Sequence, residues 1–169
     1  DEKTWQLNVQ AGKTLRTEGS SWVQKFTYGF DYTHTNVETL QTGLTPGAGE
    51  TFPLKRFPDT KESSTAFYIQ DEIASDHWII TPGVRYDRYK LDANANGYAS
   101  SIAPASLNDS AVSPKLGVLF RATSEWSVFG NYASGFKAPD ASQVNSYRES
   151  GSYPYYKTLP NPDLRPEKS

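Results

Sequence analysis

The sequence lacks several residue types on which common protein functions depend. It contains 0 Cys and 0 Met, and its 2 His residues are His34 and His77. Without cysteine there can be no disulfide framework, no thiolate metal site and no cysteine nucleophile. Two distant histidines leave little material for a zinc site or for a histidine-based catalytic triad. We therefore expect no enzyme active site and no catalytic cofactor.

A charge excess and a long apolar run are also missing. The chain has 17 Lys+Arg against 19 Asp+Glu, for a formal net charge of -2. Nucleic-acid binding needs a basic excess or stripe that neutralises phosphates, so no nucleic acid is expected as a partner. No run approaches the roughly 18 apolar residues of a membrane helix.

Aromatic residues are abundant although the chain as a whole is polar. They make up 14% of the sequence, while hydrophobic residues make up 36% and the mean hydropathy is -0.66. This combination is unusual for a soluble core but ordinary for a β-barrel with one wet and one apolar face. The sequence also begins Asp1-Glu2 without Met or a signal peptide, so we expect a piece of a longer polypeptide.

Alternation of apolar and polar residues with a period of two predicts β-strands rather than helices. The apolar positions carry Phe, Tyr, Val, Leu and Trp, whereas the opposite positions include Asp31, Arg85, Asp87 and Arg121. Unpaired charges are costly to bury, so the polar side must face water or counter-charges. The predicted strands cover residues 4–12, 22–37, 63–74, 77–91, 112–122 and 125–134.

Strand length and connection length favour a membrane barrel over a soluble sheet. Most runs meet or exceed the roughly 9–11 residues that cross a bilayer at a tilt. Short connections at 13–21, 75–76 and 123–124 alternate with long ones at 38–61, 92–111 and 135 onward. This predicts an all-β chain: an antiparallel, up-and-down transmembrane β-barrel segment of about six strands, with short periplasmic turns and long extracellular loops. A soluble β-sandwich binding module or a solenoid would show the same parity split and stays open.

Several motifs resemble the TonB-dependent outer-membrane receptors, in particular their haem and haemoglobin branch. That branch has a Phe-Arg-Ala-Pro box and an Asn-Pro-Asn-Leu box flanking one extracellular loop. Here the matching residues are Phe136, Lys137, Ala138 and Pro139, followed by Asn161, Pro162, Asp163 and Leu164. Further similar segments are the loop Leu54–Thr60, the strand residues Tyr68–Glu72 and the stretch Thr81–Asp87. Lys137 and Asp163 are mild departures from the boxes.

The resemblance implies where the chain belongs in a larger receptor. Residues 1–169 would be a portion of the C-terminal barrel domain, incomplete because the N-terminal plug and the remaining strands of a 22-stranded barrel are absent. The implied location is the outer membrane of a Gram-negative bacterium, and the implied partners are TonB (through the missing plug), outer-membrane lipid, and haem or a haem-carrying protein. The implied function is haem capture by extracellular loops and import with TonB-delivered energy. A ferric-siderophore receptor on the same scaffold is the alternative.

The loop between the two boxes contains candidate haem-binding residues. In the family the iron ligand between the boxes is usually His, but residues 140–160 contain none. Tyr phenolate is an accepted haem ligand, and a nearby cation favours the phenolate form. Cations would also serve the haem propionates. The candidates are Tyr147, Tyr153, Tyr155 and Tyr156 as axial ligands, with Arg148 and Lys157 beside them.

Both boxes also have a purely structural interpretation. Pro139, Pro162 and Pro166 each remove a backbone donor and restrict the preceding residue, so they can define loop geometry without touching a ligand. His34 is expected to point outward near the top of its strand and His77 to lie by a tight turn at the other end. Neither is expected to be a ligand.

Overall fold

Six strands, five of 15–17 residues and a last one of 7, dominate the computed structural model, which describes residues 1–45, 51–98, 103–145, 148–149 and 153–168. They form one sheet in chain order, each strand antiparallel to the next. The predicted up-and-down arrangement of about six strands is therefore confirmed. The strands are β1 (Glu2–Arg16), β2 (Val23–Val37), β3 (Asp59–Ala74), β4 (Trp78–Asn94), β5 (Leu107–Arg121) and β6 (Ser127–Ala133).

The connections separate the sheet into two different ends. Residues 17–22, 75–77 and 122–126 form short turns at one end, here called the short-turn end. The longer connections start from the opposite ends of the strands, here called the long-loop end. They comprise residues 38–58, 95–106 and 134 onward. The alternation expected from the sequence is confirmed.

Two strands begin earlier than expected. Asp59 and Thr60, placed in a long loop by the sequence, start β3, and β5 starts at Leu107 rather than near residue 112. These residues show no clear alternation. They are extended because they pair across the sheet, Asp59 with Asn94 and Leu107 with Leu91.

One face of the sheet is apolar and largely uncovered. The register places Val9, Phe30, Phe67, Tyr86 and Val112 side by side across five strands. The rings of Phe30 and Phe67 lie 5.0 Å apart, yet Val9 and Phe67 are each 54% exposed. Within the described part of the chain no second sheet packs on this apolar face. A sandwich would bury these side chains against a facing sheet, so that alternative is wrong.

The opposite face, here called the polar face, carries a small buried cluster at the long-loop end. Its members are Tyr89 and Leu91 of β4, Ala105, and Val144. The segments after β6 include a short helix that the all-β prediction did not foresee, and Phe136, Ala138, Ala141 and Leu164 of these segments pack against the cluster. These segments are β7 (Phe136–Lys137), α1 (Ala141–Asn145), β8 (Arg148–Glu149), β9 (Lys157–Thr158) and β10 (Glu167–Lys168). Across the described ranges, no helix has the length and apolar character needed to cross a membrane.

Candidate functional site

The charges on the polar face are held in an ion-pair network centred on Arg85. Its Nε donates to Asp87 Oδ1 at 2.9 Å, and its Nη1 donates to Asp31 Oδ2 at 2.7 Å. The expectation that this face meets water or counter-charges is confirmed for these three residues. Arg121 lies at the short-turn end, where its side chain is exposed to solvent.

Tyr68 lies across the polar face and links three strands. Its hydroxyl donates to Gln10 Oε1 at 2.9 Å, and the Arg85 guanidinium stands 5.7 Å from its ring centre. The ring reaches Gln10 by passing over Gly29, which the register places between the two residues. A Cβ at position 29 would stand 2.4 Å from the Tyr68 ring atom Cζ. The missing side chain of Gly29 is therefore what allows Tyr68 to lie flat.

The two boxes meet at the long-loop end. Strand β7 of the first box pairs with β10, which follows the second box, so that Lys137 lies opposite Glu167. Phe136, Ala138 and Leu164 pack against the buried cluster, and Pro139 is buried. These contacts hold the two boxes against each other and against the buried cluster.

Polar groups of the boxes also line a cavity of about 360 Å³ between them. Its lining includes Lys137, Gln143, Asn161 and Arg165. In the second box, the Asp163 amide donates to Asn161 Oδ1 at 3.1 Å, and Pro162 and Asp163 are exposed. Direct contact of either box with a ligand stays a prediction.

Helix α1 is short, and two reciprocal hydrogen bonds cap its N-terminal turn. The Gln143 amide donates to Asp140 Oδ1 at 2.9 Å, and the Asp140 amide donates to Gln143 Oε1 at 3.1 Å. This reciprocal arrangement is a capping box. The hydrogen bond from the Ser142 hydroxyl, followed by those from backbone amides, lowers the pKa of Asp140 below its usual range.

Sequence reasoning missed the residues that dock this helix. Asn145 and Val144 are fully buried, and the Ala141 amide donates to Glu62 Oε1 of β3 at 3.2 Å. The pattern Asp140-x-x-Gln143 is a sequence signal for a helix start and could have located α1. No local signal connects Asn145 with its partner Ala105, which lies far away in the sequence.

The candidate haem-binding residues lie in and around a small hairpin. Strands β8 and β9 pair so that Arg148 is opposite Thr158 and Lys157 is opposite Glu149. Tyr153, Tyr155 and Tyr156 lie between these strands and are 88%, 76% and 47% exposed. Tyr147 lies outside the described residues. The structure thus brings three of the four tyrosines into one hairpin whose strands carry Arg148 and Lys157, and ligation of iron stays a prediction.

The histidines lie at opposite ends of the sheet, as expected. His34 is on the apolar face near the long-loop end, with its ring 5.7 Å from that of Trp5. His77 is exposed in the short turn between β3 and β4. Among the residues that the structure describes, no cluster of three or more His, Cys, Asp or Glu side chains could hold a metal ion.

Comparison with known proteins assigns a family and a fold. Residues 1–169 match the protein-family profile described as TonB dependent receptor-like, beta-barrel. The chain is 30% identical over 140 residues, 78% of its length, to a protein named hemin receptor from Yersinia pestis. It is 37% identical over 76 residues, 43% of its length, to the metal-pseudopaline receptor CntO of Pseudomonas aeruginosa.

A solved structure shares the fold over nearly the whole chain. It is a double mutant of the Serratia marcescens hemophore receptor HasR in complex with its hemophore HasA and heme. The superposition covers 99% of this chain with a TM-score of 0.74, at 14% sequence identity. The chain spans only 28% of that HasR chain, 19% of the hemin receptor and 11% of the metal-pseudopaline receptor.

Proposed function

The chain belongs to the TonB-dependent receptor-like β-barrel family, and on that premise we propose that it is part of the barrel wall of an outer-membrane haem receptor. The apolar face of the sheet then meets lipid and the polar face lines the lumen. Six strands cannot close a 22-stranded barrel, so residues 1–169 are a portion of the C-terminal barrel domain. The remaining strands and the plug through which TonB acts belong to the rest of that receptor.

The two faces support this placement. Exposed apolar rows extend across five strands and form a continuous apolar surface, which fits hydrocarbon. The Arg85 network fits a watery lumen, because its charges are paired but remain partly accessible. The long-loop end then faces outward and the short-turn end faces the periplasm.

The observation that carries haem as the ligand is the β8–β9 hairpin at the long-loop end. It presents three exposed phenols on a segment that also carries Arg148 and Lys157. A phenolate can ligate haem iron, and cations can pair with the two propionates. The hemin receptor of Yersinia pestis, which matches 78% of the chain, supports the same ligand.

A metallophore ligand has weaker support. The metal-pseudopaline receptor matches only 43% of the chain, although at a slightly higher identity of 37%. Haem is therefore preferred, and a metal–pseudopaline complex is the competitor that an experiment must separate. In either case the chemistry is binding and import with TonB-delivered energy, and no bond of the ligand is broken.

The test is a haem titration of the full-length receptor, monitored by light absorption in the Soret region. We expect that changing Tyr147, Tyr153, Tyr155 and Tyr156 together to Phe shifts the spectrum and weakens haem binding by about tenfold or more, equivalent to about 1.4 kcal/mol. The physical reason is that Phe keeps the ring but removes the oxygen that would ligate iron. Changing Tyr28, Tyr86 and Tyr132 to Phe is the matched control, because these exposed side chains belong to the apolar positions of the strands.

Two results would contradict the proposal at different levels. An unchanged spectrum and affinity in the fourfold variant would exclude phenolate ligation from this loop. Failure of the unaltered receptor to bind haem, together with binding of a metal–pseudopaline complex, would replace haem as the ligand.

A further inference from the structure

Asn145, at the end of α1, is a polar side chain buried without any exposure. The oxygen and the nitrogen of its carboxamide both form hydrogen bonds with a single residue of another loop. The Ala105 amide donates to Asn145 Oδ1 at 2.6 Å, and Asn145 Nδ2 donates to the Ala105 carbonyl at 2.8 Å. Ala105 belongs to the connection between β4 and β5, whereas Asn145 belongs to the segment that follows β6.

The backbone around Asn145 makes further bonds between loops. The hydroxyl of Tyr98, which also belongs to the β4–β5 connection, donates to the Asn145 carbonyl at 3.0 Å. The Asn161 amide donates to the Val144 carbonyl at 2.8 Å and so attaches the second box. One turn of helix is therefore bonded to the β4–β5 connection and to the second box.

This joined unit is also fixed to the barrel wall. Val144 is fully buried in the cluster with Leu91 of β4, and the Ala141 amide bonds to Glu62 of β3. The contacts all lie on the polar face at the long-loop end. A change of position in one of these loops must therefore strain the other loop or break this set of bonds.

We propose that Asn145 is a latch that joins the β4–β5 loop to the loop carrying the two boxes, so that both loops move as one body at the mouth of the barrel. Only a side chain with a donor and an acceptor side by side satisfies both backbone groups of Ala105. Leaving either group unpaired in a buried place is unfavourable, because the group has lost its hydrogen bonds to water. A ligand that restrains one loop then restrains the motion of the other loop as well. The inference concerns the loops themselves and does not depend on which ligand the receptor carries.

The test uses the full-length receptor without ligand, so that its outcome is independent of the haem proposal. Spin labels are placed at Asn96→Cys and Leu159→Cys, which are exposed positions on the two loops, and the distance distribution is measured by pulsed electron paramagnetic resonance. The test variant is Asn145→Asp, which keeps the size and the acceptor but loses the donor. Asn94→Asp is the matched control, because Asn94 is exposed and uses its side chain as an acceptor for the Asn96 amide.

The new carboxyl at position 145 allows the donor to be restored by pH. Burial beside the Ala105 carbonyl raises the pKa of a carboxyl, because both disfavour its charged form. The titratable groups placed around it include Tyr89, Tyr98, Glu62 and Asp140. Two cations also lie near this unit: Lys55, which forms a β-bridge with Tyr98, is paired with Asp59, and Lys137 acts on Asp140. The protonated carboxyl can donate to the Ala105 carbonyl again. A loosening of the loops that has another cause would not recover at low pH.

We expect a single narrow distance distribution in the unaltered loops at pH 8 and pH 5. Asn145→Asp should broaden it about twofold or more at pH 8 and restore it at pH 5, whereas Asn94→Asp should match the unaltered loops at both values. A narrow distribution for Asn145→Asp at pH 8 would overturn the latch. So would a distribution that stays broad at pH 5, or one that is already broad in the unaltered receptor.

Discussion

Gly29 offers a sharp test of how the polar face is packed. In Gly29→Ala the new Cβ would stand 2.4 Å from Tyr68 Cζ and 2.7 Å from the Val9 carbonyl oxygen. Both distances are far inside van der Waals contact, and the Val9 oxygen belongs to the backbone of the neighbouring strand. Tyr68 must therefore swing away from its place across β2, and the backbone of β1 at Val9 must also shift.

The cost can be estimated from the contacts that Tyr68 would lose. Its hydrogen bond to Gln10 contributes about 0.5–1.5 kcal/mol, and its contact with the Arg85 guanidinium about 0.5–1 kcal/mol. Overpacking of a filled site costs about 1–3 kcal/mol in all. We expect Gly29→Ala to lower the free energy of unfolding by about 1–3 kcal/mol, or roughly 5- to 150-fold in the folding equilibrium.

The assay is denaturant unfolding of the full-length receptor in detergent micelles, followed by Trp fluorescence. Gly130→Ala is the matched control, because it lies in β6 with nothing within 4 Å of the added Cβ. That control should cause no loss of stability. The cost of Gly29→Ala should also shrink when Tyr68 is first changed to Ala, since the double change removes the ring that the methyl group meets. The reasoning is refuted if Gly29→Ala is as stable as Gly130→Ala.

Two further outcomes are expected elsewhere in the chain. Asp140→Ala should remove the cap of α1, at a cost of about 0.5–2 kcal/mol, and speed hydrogen exchange of the Gln143 and Val144 amides. The folded pKa of Asp140 is lowered, so this stabilisation should be fully present above the ordinary Asp pKa of about 3.9 and disappear as the pH falls through the folded pKa. Equal exchange in Asp140→Ala and in the exposed control Asp163→Ala would contradict the capping role. For orientation, a cysteine at Asn96 should react with a membrane-impermeant maleimide on intact cells, while one at Asp76 in a short turn should not. The reverse pattern would mean that the long loops face the periplasm.

The sequence predicted the sheet because barrel walls leave a repeated local signal. Along each strand, side chains point alternately to an apolar and to a polar side. The period-two pattern can therefore be recognised in β1, β2, β4 and β5 without knowledge of their partners. The alternation of short and long connections then gave the strand order. Strand ends were less predictable: Asp59 and Thr60 are extended because of their partners Asn94 and Ala93 in β4, and partners are not visible locally.

The candidate site was predictable only in part, for the same reason. The motif Phe136–Pro139 and its companion Asn161–Leu164 were singled out by their resemblance to a family, and their role toward a ligand stays a prediction. Their pairing through β7 and β10 could not be read from either motif alone.

What the sequence by itself determined is a set of amphipathic strands with a polar and an apolar side, joined alternately by short and long connections. Only the tertiary structure decided that Tyr68 crosses Gly29 to reach Gln10, and that Asn145 closes on Ala105. Alternation is a property of neighbouring residues, and solvent on each side of the sheet enforces it residue by residue. A hydrogen bond between residues far apart in sequence depends on register and loop path, which exist only once the whole sheet has formed.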